Sequence, residues 1–132
     1  MSGEKDLSKI LTNLSPELIE GEYVFCTFKD SSYGDYSSLE PLASIKEKEG
    51  LTLILLKDKA QQEQLPFEGV FHCISFGVHS DLNSVGLMAA VSSKLAQNDI
   101  SFNVVSGYFH DHLFVSKNKS KMTLEVLINS LY

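Results

Sequence analysis

Three places in the chain carry residue types that could do chemistry. The first runs from His79 to Leu87 and leads from an apolar stretch into a helical pattern. The first turn of a helix leaves backbone N–H groups unpaired and carries about half a positive charge. A ligand carboxylate is stabilised in such a place. Gly86 has no side chain to block close approach, and Asp81 or Asn83 could hold an ammonium group. The same residues also read as a self-capped helix start, with the Ser84 hydroxyl filling the site.

The second place is His110-Asp111-His112. Imidazoles and carboxylates are metal-ligand types, and two histidines spaced by two share one face of a strand. Zinc needs three or four ligands, and no Cys or Glu companion lies close in sequence. The remaining histidines are His72 and His79. The segment therefore reads as a polar hairpin turn, and no metal or other cofactor is expected. The third place is the pair Cys26 and Cys73. A reactive thiol wants a cationic, partly exposed setting. Both lie in apolar runs (Val24-Phe25-Cys26 and Phe71-His72-Cys73-Ile74), which reads as buried structural cysteine. Lys117, Lys119 and Lys121 stand where the last helix begins, an unfavourable place for cations, and read as a solvated surface.

The elements that must position these residues follow from periodicity. Leu7, Ile10, Leu11 and Leu14 form one helical stripe, stopped by Ser15-Pro16. Residues 22–29 read as a strand and 30–38 as a loop. Ser38 can cap a helix to Glu49, with Leu39, Leu42 and Ile45 inward and Gly50 as its stop. The apolar run Leu51 to Leu56 predicts a central strand, and residues 58–64 a short polar helix. Pro66 and Gly69 bound a linker, giving an N-terminal unit over 1–66 and a C-terminal one over 67–132.

From residue 70 the predicted order is strand (70–78), helix (84–98, with Met88, Val91 and Leu95 inward), strand (100–108), strand (112–115) and helix. The two strands turn at His110-Asp111. Ser116 caps the last helix, whose stripe is Leu124, Leu127, Ile128 and Leu131. This is most of a ferredoxin-like layer, an antiparallel sheet with helices on one face, in the α/β (α+β) class.

Composition narrows the partners. The chain has 132 residues, 43% hydrophobic, with a formal net charge of −6. Nucleic acid and anionic membranes need clustered cations, so neither is an expected partner. No stretch of about 18 apolar residues is present. Met1 to Asp6 is polar and includes two acids, unlike a signal peptide. The reading is a cytoplasmic protein with reduced thiols. No phosphate-cradling glycine loop, CxxC pair or GxSxG elbow occurs.

The local sequence adds a resemblance. Val85-Gly86-Leu87-Met88, then Leu95-Ala96, then Ile100-Ser101 resembles the ACT domain, a small regulatory module of amino-acid metabolism. Residues 21–27 (GEYVFCT), 49–53 (EGLTL) and 108–115 (YFHDHLFV) are similar to short bacterial proteins made of two ACT-like units. Val85 stands where the family often has proline, and Asp99 where it often has glycine; aspartate tolerates the left-handed conformation needed there. The N-terminal half reads as strand, helix, strand, helix, one strand short of a full unit.

The resemblance implies a non-catalytic module that binds a small molecule, an amino acid, near a subunit interface of a homodimer. Its ligand would meet Asp81, Asn83, Ser84, Val85, Gly86 and Leu87, with Ser101, Phe102 and Asn103 from a partner subunit. A structural or interaction module without a ligand, and a His-based metal enzyme, are the alternatives.

Overall fold

The computed structural model describes Gly3, Asp6 and residues 14–78, 81–83 and 85–130, with Ser130 by its backbone alone. Two compact units emerge. One is Gly21–Phe71; the other joins the residues before Gly21 to His72–Tyr132. The N-terminal helical stripe falls at Leu7, Ile10 and Leu11, outside the described residues; Leu14 is fully buried in the second unit's core.

In residues 21–71, strand β2 (Tyr23–Phe28) pairs antiparallel with β4 (Gly50–Leu56), and β4 pairs antiparallel with β3 (Ala43–Glu47). β4 is thus the middle strand, as its apolar run predicts. Helix α1 (Lys57–Gln62) follows it directly. Val24, Cys26, Leu51, Leu53, Leu55 and Ala60 form the core.

The helix expected from Ser38 to Glu49 is absent. Residues Ser37–Leu39 make one 3-10 turn, Glu40 adopts a left-handed φ of 49°, and Ala43–Glu47 is strand β3. Pro41 explains the difference. It would sit inside the helix, where it lacks an N–H and clashes with the preceding turn. The Leu42 and Ile45 spacing that mimics a helical stripe leaves both side chains exposed, at 44% and 40%. Gly50, read as a helix stop, instead closes the β3–β4 hairpin. Its φ is 153°, and a Cβ there would lie 2.5 Å from the Phe28 carbonyl oxygen. This unit is therefore short of a helix, not of a strand.

In the second unit, β1 (Pro16–Leu18) pairs antiparallel with β5 (Phe71–Phe76), a strand the sequence reading did not include. Gly77 N–H donates to the Leu14 and Ser15 carbonyls, which ties the start of β1 in place. After β5 come α2 (Leu87–Gln97), β6 (Phe102–Ser106), β7 (Asp111–Ser116) and α3 (Ser120–Ser130). β7 lies beside β5, and β6 pairs antiparallel with β7 at the outside. The predicted order thus holds, and the fold is α+β and ferredoxin-like.

Helices α2 and α3 pack on each other over a core of Ile74, Phe76, Leu87, Val91, Leu95, Leu113, Val115 and Leu127. Asp99 takes a left-handed φ of 58° after α2, the conformation its position requires. Three details differ. The hairpin turn is Gly107–His110, closed by Gly107 N–H to the His110 carbonyl at 2.8 Å, so Asp111 opens β7. Ser116 makes no side-chain cap; a 3-10 turn, Lys117–Lys119, precedes α3. The buried stripe of α3 is Thr123, Val126 and Leu127, and Ile128 is 51% exposed. Thr123 donates its hydroxyl to the Lys119 carbonyl at 2.7 Å, so a polar residue can take a core position. Leu131 lies outside the described residues.

Candidate functional site

A pocket of about 220 Å³ opens at the start of α2. Gly86 occupies the N-cap position with φ 101°. In that left-handed geometry a side chain is strained, and glycine has none to cap the following N–H groups. The pocket is lined by Leu87, Met88 and Ala89 of the first turn, and by Gly86 itself. First-turn N–H groups have no acceptor within their own helix, so these residues bring the positive end of the helix dipole to its edge.

The hairpin between β6 and β7 supplies the opposite side through Ser106, Gly107, His110 and Asp111. Asp81 and Leu82 complete it. Asp81 is 9% exposed, and its carboxylate accepts the Asn83 N–H at 2.8 Å, which folds residues 81–83 into a tight turn. Asp111 accepts the Ser106 hydroxyl at 2.5 Å across the strand pair. The pocket thus offers backbone donors for an anion and two carboxylates for a cation a short distance away.

The sequence-derived residues divide. Asp81, Gly86 and Leu87 line the pocket. Asn83 and Val85 belong to the same turn but do not line it, and Val85 is 82% exposed. Ser84 is outside the described residues. Ser101 precedes β6, and Phe102 and Asn103 begin it, at the end away from Ser106 and Gly107. The hairpin residues were missed as part of this site. Only the strand order brings the β6–β7 turn to the start of α2, and nothing local in the sequence signals that approach.

The histidines are engaged separately. His72 Nδ1 lies 2.7 Å from the Ser120 hydroxyl, and His112 Nδ1 lies 3.1 Å from the Ser75 hydroxyl. Burial, helped by nearby His110 and opposed by Asp111, holds the His112 imidazole below its usual pKa. Among the described residues, no group of three or more His, Cys, Asp or Glu side chains is placed to share a metal ion; His79 is not among them. Both cysteines are free and buried. Burial raises both thiols, Cys73 to about 11, which disfavours the nucleophilic thiolate. Among the described residues no helix is long and apolar enough to cross a membrane.

The fold has solved counterparts. A Vibrio cholerae protein of unknown function, described as a possible transport protein, is 47% identical, covers 97% of this chain and 98% of its own, and superposes with a TM-score of 0.86. An Agrobacterium tumefaciens protein is 22% identical, with 89% and 88% of the two chains covered and a TM-score of 0.73. The regulatory subunit of aspartate kinase from Thermus thermophilus shares the fold at 8% identity and a TM-score of 0.64, over 91% of this chain and 99% of that one. No curated protein matches in sequence. Two ACT domain models match in tandem, over residues 2–72 and 68–129. The chain belongs to the ACT domain family.

Proposed function

We propose that this chain is a non-catalytic regulatory module that binds an amino acid in the pocket at the start of α2. The observation that carries the reading is the pairing of free first-turn N–H groups with Asp81 and Asp111 in one small pocket. An α-carboxylate meets Leu87, Met88 and Ala89, and the ammonium meets a carboxylate. A volume of about 220 Å³ suits a metabolite below drug size. The ACT matches and the resemblance to an aspartate kinase regulatory subunit support regulation over catalysis, as do the raised thiols.

The ligand sits near a homodimer interface in this reading. Among the described residues β6 has β7 as its only strand neighbour, and no charged residue occurs from Ile100 to Phe109. Natural sheet edges are usually blunted by charge, so an uncharged edge invites pairing. Antiparallel pairing of β6 with a second copy about Val104 sets that copy's Ser101 opposite Gly107 and its Phe102 opposite Ser106. In this pairing Ser101, Phe102 and Asn103 of the second copy come to the Ser106–Gly107 end of β6, whose residues line the pocket. The bounds of the two family matches support an N-terminal ACT-like unit over 1–66 and a C-terminal one over 67–132. β1 departs from that division by pairing with β5. Free, buried cysteines and bacterial relatives support a bacterial cytoplasmic setting.

A thermal-shift series across the common amino acids tests the proposal. One of them should raise Tm increasingly with concentration, by about 2.7 kcal/mol of stabilisation at a hundredfold excess over Kd. Asp81→Asn should abolish the response. A flat response to every amino acid overturns the reading. The free β6 edge also favours a second reading, an interaction module without a ligand. A dimer of constant stability, indifferent to amino acids, is its signature in light scattering.

A further inference from the structure

We infer a second ligand site inside residues 21–71, taking a small, uncharged, planar molecule that carries a hydrogen-bonding group. A pocket of about 460 Å³ lies between the loop of residues 30–42 and strands β3 and β4. Ligand pockets commonly run from about 300 to 1,000 Å³, so the volume is adequate.

The lining defines the class of occupant. Leu51 and Leu53, 1% and 2% exposed, form an apolar base. Tyr33 and Tyr36 contribute aromatic surface. Tyr36 is held by stacking on Phe28, with centroids 3.9 Å apart, whereas the Tyr33 ring is 83% exposed and free to cover a ligand. An aromatic guest would stack between base and lid at little conformational cost. The hydroxyls of Ser37 and Ser44, which also line the pocket, can donate to or accept from one polar group. Among the described residues no Asp, Glu, Lys, Arg or His lines it. An amino acid would carry two charges into a site without a counter-charge, which the desolvation cost opposes. The two pockets therefore sort ligands by charge.

The site is built in advance of binding. Ser32 N–H donates to the Asp35 carboxylate at 2.8 Å, and Asp35 and Ser37 N–H groups bond to Ser32 and Gly34 carbonyls. Lys59 Nζ lies 3.0 Å from Glu40, tying the end of the loop to α1. Such preorganisation lowers the entropy lost on binding.

Isothermal titration of the full chain with indole and with phenol tests the inference. Saturable binding of at least one probe is expected. Tyr33→Ala should weaken it by about tenfold, consistent with losing one aromatic pair, while leaving Tm unchanged because the ring is exposed. Ala43→Leu should fill the pocket and remove binding. Asp81→Asn should leave it intact. Absence of saturable binding for both probes, equal affinity in Tyr33→Ala, or loss in Asp81→Asn each overturns the inference; the last assigns the probes to the α2 pocket. If Ala43→Leu fails to fold, Tyr33→Ala decides alone. Amino-acid binding at the α2 pocket is independent of every outcome.

Discussion

Residues 21–71 and 72–132 run through the same order of elements with one substitution. Both go strand, connection, strand, strand, helix. In the second unit the connection is α2, an eleven-residue helix; in the first it is a loop with one 3-10 turn. Both carry apolar residues at helical intervals, four apart in Leu87, Val91 and Leu95 and three apart in Leu39, Leu42 and Ile45. What separates them is a single proline. With Pro41 in place, the backbone of residues 43–47 finds its hydrogen bonds in a hairpin with β4 instead. The consequence reaches function. A helix in that place presents free N–H groups to a polar pocket. A loop leaves a larger, uncharged one.

The largest effects are expected from the two cores. Leu95→Ala and Leu53→Ala each truncate a buried side chain, at 0% and 2% exposure. Each should cost about 2–5 kcal/mol in chemical denaturation. A loss under about 1 kcal/mol in either variant would contradict the core assignments.

A smaller effect separates two glycines of the first unit. Gly50→Ala meets both a left-handed backbone and the Phe28 carbonyl, and Gly34→Ala meets a φ of 92° with open space around it. Gly34→Ala should cost about 1–2 kcal/mol, the backbone term alone, and Gly50→Ala clearly more. The reverse order in thermal melts would remove the hairpin from the account.

The smallest effect is the pH response of the second unit. Its folded His112 pKa lies below the usual 6.5. The unfolded state therefore takes up the proton first. Stability should fall as pH drops below about 6.5 and level off under the folded pKa. His112→Gln should flatten that part of the profile relative to the parent chain; an unchanged difference between pH 7.5 and pH 5 would contradict a buried, neutral imidazole.

What the sequence made legible follows the same line. The second unit's elements were readable because α2 has an unbroken stripe and β6 and β7 are bounded by turn residues. The β4 run predicted a middle strand for the same reason. The Leu39, Leu42 and Ile45 spacing mimics a helical stripe, but Pro41 inside it forbids the helix. β1 was illegible, since three residues, Pro16–Leu18, carry no period and gain their role only by pairing with β5. For the site, Asp81, Gly86 and Leu87 were legible from helix-start chemistry. Ser106, Gly107, His110 and Asp111 were not, because a pocket wall contributed by a distant hairpin is a product of strand order.

The central claim is that an amino acid docks on the free N–H groups at the start of α2. Amide chemical-shift mapping on the full chain, titrated with the amino acid that most raises Tm, tests it directly. The largest shifts are expected at Leu87, Met88 and Ala89, with a second group at Ser106, Gly107 and Asp111. Saturable shifts confined to other residues, or none at these amides, would contradict it.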